Sequence, residues 1–298
     1  MNFKKKDNKN ESLWQETFDR LRKNKMAMVA LGFIIFMILF SFIGPLFSPY
    51  LDEKVQVDMI KTAPSFKNWL GTDQLGRDVL TRLMLAGRIS LTIGLASMVL
   101  SLLIGTVIGA VSGFYGGILD TILMRIADVL MSIPGLPLLM ILSAALSGLQ
   151  VPPEKRLYLV MGILSLIGWP GLARMIRGQV LSFKSRSFMD AAEVLGLSDK
   201  RKIFNHLIPN IVPLLIVVAT LNVAGGILSE SALSYLGLGV VAPTPSWGSM
   251  IDSANNLLDF QRRPWLWAPP GVAIFLTVVS INIVGDGLRD ALDPKEGR

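Results

Sequence analysis

Long apolar runs alternate with short polar blocks along almost the whole chain. Six stretches, at 26–47, 89–111, about 119–148, 157–175, 211–238 and 265–284, are long and apolar enough to cross a bilayer. The pattern predicts an all-α membrane protein with six transmembrane helices. Punctuation inside the runs predicts where helices fail. Ser132-Ile-Pro-Gly-Leu-Pro137 breaks the third stretch, Gly168-Trp-Pro-Gly171 interrupts the fourth, and Pro213 with Gly225-Gly226 breaks the fifth. Tyr115-Gly116-Gly117 makes a tight turn between the second and third.

The polar blocks have their own structure. Trp14, Phe18 and Leu21 recur at helical spacing, so 11–24 reads as an amphipathic helix on the membrane surface behind a solvated tail at 1–10. Residues 48–87 form an external loop ending in Trp69-Leu-Gly-Thr-Asp-Gln-Leu-Gly-Arg-Asp78, where Asp73, Arg77 and Asp78 can pair. In 240–266 the tryptophans read as an interface belt. The chain divides into a tail at 1–25, a first helix and external loop at 26–87, a core at 88–293 and a tail at 294–298.

The most distinctive polar block is 187–209, which reads as two short helices. Ser187 is placed to cap the first, with Asp190 three residues on. Gly196 stands where a helix C′ residue would. Ser198 is placed to cap the second, and Pro209 limits it.

Composition supports the membrane reading. Of 298 residues, 51% are hydrophobic and 17% charged, against about 25% charged in a soluble domain. Net charge is +7, but the cations lie in blocks between apolar runs, which fits a positive-inside bias and not a nucleic-acid surface. Lys and Arg number eight before the first span, seven between the fourth and fifth and three after the sixth; the alternate loops hold six, two and two. Both termini and the 187–209 block are therefore expected in the cytoplasm. Cysteine is absent and His206 is the single histidine, so neither a Cys-based nor a His-cluster metal site is available. No GxxxxGK[ST] phosphate loop occurs anywhere in the chain.

Polar residues inside the runs are candidates for function, because such groups are costly in lipid. Glu230 lies deep in a glycine-rich segment. With Asn222, Ser229 and Ser234 it forms the set that either lines a pathway or braces the helices. Arg125 and Asp128 are one turn apart and can pair. Gly105, Gly109 and Gly113 recur every fourth residue, giving one smooth helix face for close packing, within the chain or against another subunit.

Asp190-Ala-Ala192, three residues, Gly196, then Leu207-Ile208-Pro209 resembles the EAA loop of ABC importer membrane subunits. Asp190 replaces the usual Glu, and Ile208 stands where Leu is usual. Leu70-Gly-Thr-Asp-Gln-Leu-Gly-Arg-Asp-Val-Leu-Thr-Arg82 resembles the segment before the second span in C-type permeases of peptide and nickel importers. So do Phe114-Tyr-Gly-Gly117, Leu123-Met-Arg-Ile-Ala-Asp128, Glu230-Ser-Ala-Leu-Ser-Tyr-Leu-Gly-Leu-Gly239 and Pro245-Ser-Trp-Gly248. The resemblance covers nearly all of 26–293 and identifies the oligopeptide/dipeptide permease C subunit family.

It implies a type I ABC importer permease fold in a bacterial cell membrane. It implies a homologous B-type permease partner, two ABC ATPase subunits and an external solute-binding protein, with a peptide as cargo. Asp190, Ala191, Ala192, Gly196, Leu207, Ile208 and Pro209 would then couple the chain to an ATPase subunit. ATP and Mg2+ would be used by those partners, with no cofactor bound by this chain. A nickel or other small-solute importer is the alternative inside the family. A self-contained secondary transporter or channel would need inverted repeats and its own ion site. An intramembrane enzyme using Glu230, Asp286 or Asp128 would need an accompanying nucleophile or metal pair.

Overall fold

The computed structural model describes residues 13–50, 55–148 and 152–292. The tails at 1–10 and 294–298, and Asp52, Glu53 and Lys54 of the first loop, lie outside them. Among the described residues the fold is all helix. Five helices are long and apolar enough to cross a membrane, and the number rises to six when one bent helix pair is counted as a single span.

Helix α1 (Leu13–Lys23) leads into α2 (Lys25–Phe42), the first span. Asn24 separates them and caps α2, its Oδ1 accepting from Ala27 N at 3.1 Å. The amphipathic α1 has a partner in the chain as well as an exposed side. Leu21 is buried with Ala27 and Ala291, while Phe18 is 57% exposed.

Helix α3 (Val79–Tyr115) is the central element. It starts ten residues before the apolar run does. Asp78 is the reason: its Oδ2 accepts from Thr81 N at 2.8 Å, an N-cap, and its Oδ1 accepts from Asn68 at 2.9 Å. Asp78 is thus a cap, and it is Asp73 that pairs with Arg77 (2.8 Å) and Arg82 (3.2 Å). At 37 residues α3 is about 55 Å long, well beyond a hydrocarbon core of about 30 Å.

Gly116 and Gly117 both take positive φ (67° and 60°) and turn the chain into α4 (Gly117–Ser132). Pro134 then separates α4 from α5 (Gly135–Ser147), and the two helices meet at 91°. Neither reaches a full span alone. Arg125 and Asp128 do not pair with each other; Asp128 pairs with Arg174 and Asp120 with Arg177 (2.6 Å).

Helix α6 (Pro153–Lys184) runs unbroken through Pro170, correcting the expected interruption. The α3–α6 seam is the most extensive in the fold. Lipid offers no hydrophobic drive to bring helices together, so close backbone approach must do it. The glycine stripe provides this. A Cβ on Gly105 would meet Leu172 Cβ at 2.7 Å, one on Gly109 would meet Ala173 O at 2.4 Å, and one on Gly113 would meet Arg177 O at 2.9 Å. On a second face of α3, Gly94 meets Ile227 in the same manner.

After α6 come α7 (Ser187–Val194), α8 (Asp199–Arg201) and a π-helical turn (Lys202–Leu207), which passes directly into α9 (Ile208–Tyr235). Helix α9 is also unbroken, through Pro213 and Gly225-Gly226. Helices α10 (Trp247–Ile251) and α11 (Leu257–Arg262) form a cap between α9 and α12 (Ala268–Leu292).

Trp247 does not belong to an interface belt. It is fully buried, its Nε1 donating to Leu83 O at 3.1 Å, and it packs in the main core with Met37, Leu83, Ile227 and Ile274.

The cap is tied to the loop before α3 by an ion cluster around a buried carboxylate. Asp259 is enclosed and pairs with Lys61 (2.6 Å) and Arg263 (2.5 Å). Burial pushes its carboxyl up, but the hydrogen bonds and charges of Lys61 and Arg263 outweigh that and hold it below the usual carboxylate range. A depressed carboxylate stabilises the fold above its unfolded value, near pH 4, and that contribution is lost as pH falls through the folded value. Asp259→Asn is expected to cost about 2–3 kcal/mol at pH 7. It should also flatten the loss of thermal stability below pH 4, read by melting in detergent across pH 3–7. An unchanged acid limb would show that the cluster contributes nothing.

Candidate functional site

The 187–209 block is built for display. Helix α7 starts at Ser187, not after it. Arg186 holds the N-cap position, without a side-chain bond, and Ser187 is the first helical residue. The far end closes as expected. Gly196 takes φ +66°, its N–H donates to Glu193 O (2.9 Å), and Leu197 N–H donates to Ala192 O (3.1 Å). Those two bonds form a Schellman motif. Ser198 occupies the N-cap of α8 but makes no side-chain cap bond.

Pro209 does not end the second helix. Proline lacks an N–H and crowds the carbonyl four residues back, so the preceding turn widens. Ile208 N–H reaches five residues back to Ile203 O, the π pattern, and Asn210 Nδ2 satisfies His206 O at 2.6 Å. Leu207 is therefore an anchor, and Ile208 and Pro209 form the first turn of α9. The segment from Asp199 to Tyr235 is one helical run of 37 residues.

Two faces separate within the block. Met189, Ala192, Ile203 and Leu207 are buried against Phe114, Ile176 and Val180, while Lys184 Nζ donates to Phe114 O at 2.7 Å. Asp190, Ala191 and Gly196 are exposed. So are Val194 (89%), Leu195 (76%) and Phe204 (61%). Three large apolar side chains are thus exposed within one charged block. Val194 and Leu195 stand immediately before Gly196. Their position just before an αL glycine, which turns the chain back, is the signal that they sit at a tip.

Glu230 is at the other end of α9. It is fully enclosed, accepting from Ser90 Oγ of α3 (2.8 Å) and Ser234 Oγ (2.7 Å). Ser90 Oγ in turn accepts from Trp247 N (3.1 Å), and Ser234 Oγ accepts from Val240 N (2.9 Å). The carboxyl thus joins α3, α9 and the cap, and presents no face to solvent. Glu230→Leu would strand two buried hydroxyls at a cost of about 2–4 kcal/mol, whereas Glu230→Gln keeps an acceptor and should cost less. Yield of monodisperse protein after heating distinguishes them; equal behaviour would contradict the bracing role.

Asn222 and Ser229 share a half-buried strip of α9, seven residues apart, with Gly225 open between them. Asn222 Nδ2 is bonded to Val218 O at 2.7 Å. Under the cap a cavity of about 620 Å³ is lined by Asp73, Arg77, Tyr235, Asp252 and Asn255 among others. The Lys61–Asp259 and Asp128–Arg174 pairs had no sequence signal, since each joins residues far apart in the chain.

The family described as binding-protein-dependent transport system inner membrane component matches residues 105–298, about two thirds of the chain. The chain belongs to this family. A second match, the N-terminal TM domain of oligopeptide transport permease C, covers residues 12–64. The permease is 41% identical over 287 residues to the oligopeptide transport system permease protein OppC of Bacillus subtilis, covering 96% of this chain and 91% of that one. It is 40% identical to OppC of Haemophilus influenzae (96% and 89%) and 38% identical to the glutathione transport system permease protein GsiD of Shigella dysenteriae (95% and 90%). It is therefore a multi-pass membrane component of a binding-protein-dependent transporter, and the C-type resemblance read from its motifs is a family relationship.

Proposed function

We propose that this permease is the C-type subunit of an ATP-driven importer of oligopeptides or dipeptides, and that the 187–209 block is its coupling element. The observation that carries the reading is the tip of α7. Val194 and Leu195 are held out by an αL glycine, and Phe204 is exposed nearby, at the head of a rod that continues into a span. An apolar tip of this kind suits a groove on a partner, and the rod suits transmission of a rigid push.

In this reading the termini and 187–209 face the cytoplasm, and the cap of α10 and α11 faces outward toward a solute-binding protein. A B-type permease supplies the other half of the pathway. Two ATPase subunits bind ATP and Mg2+ and hydrolyse the nucleotide, and this chain contributes no ATPase site of its own. Alternating access follows when closure of the ATPases moves the α8–α9 rod against α3 and α6. The domain division of tail, first helix with external loop, core at 88–293 and short tail fits this arrangement. The strip bearing Asn222, Gly225 and Ser229 is the polar surface of α9 available to a cargo, while Glu230 and Ser234 brace the cap. Peptide cargo is supported by relatives named for oligopeptides and, in GsiD, for glutathione, itself a tripeptide.

The test is uptake by proteoliposomes containing the permease with its co-expressed partners and binding protein. Labelled tri- to pentapeptides should accumulate only with ATP inside the ATPase-bearing compartment. Nickel accumulation without peptide accumulation would overturn the cargo. Solute flux without ATP would overturn the importer reading altogether.

A further inference from the structure

The junction of α1 and α2 carries chemistry that peptide transport does not use. Arg22, Lys23 and Lys25 fall within four residues and all are exposed. No ion pair to any of them is present among the described residues. The opposite side of the junction is fixed to the bundle: Leu21 and Ala27 are buried against the last turns of α12, where Gly287 would bring an added Cβ within 2.7 Å of Ala27. The cations are therefore held at one place and turned outward.

The two helix dipoles act on these cations differently. Lys25 is the first residue of α2, the end at which the helix dipole is positive and disfavours a cation. Arg22 and Lys23 lie in the last turn of α1, where the dipole favours them. At the α2 side, three cations and a row of helix N–H groups add positive potential in one direction. The nearest carboxylates by position are Asp19 on α1 and Asp286 and Asp290 on α12, all exposed.

The apolar surface begins immediately beyond. Met26 is 69% exposed and Val29 is 74% exposed, and the same helix continues outward with Phe36 and Leu39. Cations at the edge of an exposed apolar helix face stand at headgroup depth, with the apolar residues at acyl-chain depth.

We propose that this junction binds the phosphate headgroup of an anionic phospholipid, with Met26 and Val29 against its acyl chains, so that the lipid pins α1 and the end of α12 to α2. The partner is a lipid and not a soluble anion, because the apolar continuation offers a place for the chains.

Native mass spectrometry of the full-length chain in mild detergent tests it, with phosphatidylglycerol and phosphatidylcholine as the probes. The unmodified chain should retain phosphatidylglycerol in preference to phosphatidylcholine and lose it as salt is raised. Arg22→Gln/Lys23→Gln/Lys25→Gln should weaken retention about 100-fold, roughly fivefold per cation. Lys200→Gln/Arg201→Gln on α8 should leave it unchanged. If the triple variant fails to insert, the Lys25→Gln single variant carries the test, with an expected loss of about fivefold. Equal retention by variant and unmodified chain would mean that the cations act only in setting topology, and would overturn the proposal. So would displacement of the lipid by millimolar inorganic phosphate, which would assign the site to a free anion.

Discussion

Gly109→Leu is expected to prevent the permease from folding. A Cβ at this position would lie 2.4 Å from Ala173 O and 2.9 Å from Ile176 Cβ. Both neighbours are on α6, and the first is backbone, so no rotamer change relieves the clash. The α3–α6 seam must open by a substantial fraction of a side-chain diameter. Gly105 and Gly113 depend on the same close approach, so their contacts are lost with it. Overpacking of a core commonly costs about 1–3 kcal/mol, and loss of a shared seam raises that to at least about 4 kcal/mol, of the order of total stability. Gly171→Ala is the control, because a Cβ there meets nothing within 4 Å on the same helix α6. Size-exclusion chromatography of a fluorescent fusion should show a sharp peak for the control and aggregate for Gly109→Leu. A sharp peak for both would mean that the seam is looser than described.

Gly196→Val is expected to leave the permease folded and abolish most transport. Nothing lies within 4 Å of a Cβ at Gly196, so the effect is conformational and not steric. The residue holds φ +66°, where a β-branched side chain is penalised by about 1–2 kcal/mol or more. The cheapest relief is to unwind the Schellman closure. That would swing Leu195 and Val194 away from their exposed position and detach α7 from the α8–α9 rod. Uptake should fall at least tenfold with unchanged expression. Gly196→Asn should retain most activity, since asparagine tolerates the left-handed region. Full uptake by Gly196→Val would remove the α7 tip from the mechanism.

Sequence periodicity located every span but misjudged where several begin and end. Helix α3 was hidden at its start because Thr81, Arg82 and Arg88 make 79–88 look like loop. Arg82 is in fact mostly buried beside Asp73, and Arg88 donates to Ser41 O and Phe42 O at 2.8 Å. On local propensity alone, proline and glycine predict breaks in α6 and α9. In the bundle, packing overrides them: Gly168 approaches Ser101, Gly226 approaches Gly94, and the π turn absorbs Pro209. Pro134 does break its helix, where α4 and α5 have few neighbours to hold them straight.

The candidate site was legible as a motif, because Gly196 and the Asp190-Ala-Ala192 run are contiguous. Its partition into a buried anchor and an exposed tip was not, since it depends on Phe114, Ile176 and Val180 from other helices. Trp247 and Asp259 escaped for the same reason. Their partners, Leu83 and Lys61, are more than 150 residues away.

The absence of cysteine from the natural chain makes one measurement especially direct. A single cysteine introduced by Leu195→Cys can be cross-linked, with a short bifunctional reagent, in the assembled transporter. The expected result is a product between this permease and an ATPase subunit, with a yield that changes when ATP is bound. Phe36→Cys, on the exposed face of α2, should give no such product. A Leu195→Cys chain that cross-links to no ATPase subunit, while still supporting ATP-driven uptake, would contradict the assignment of 187–209 as the coupling element.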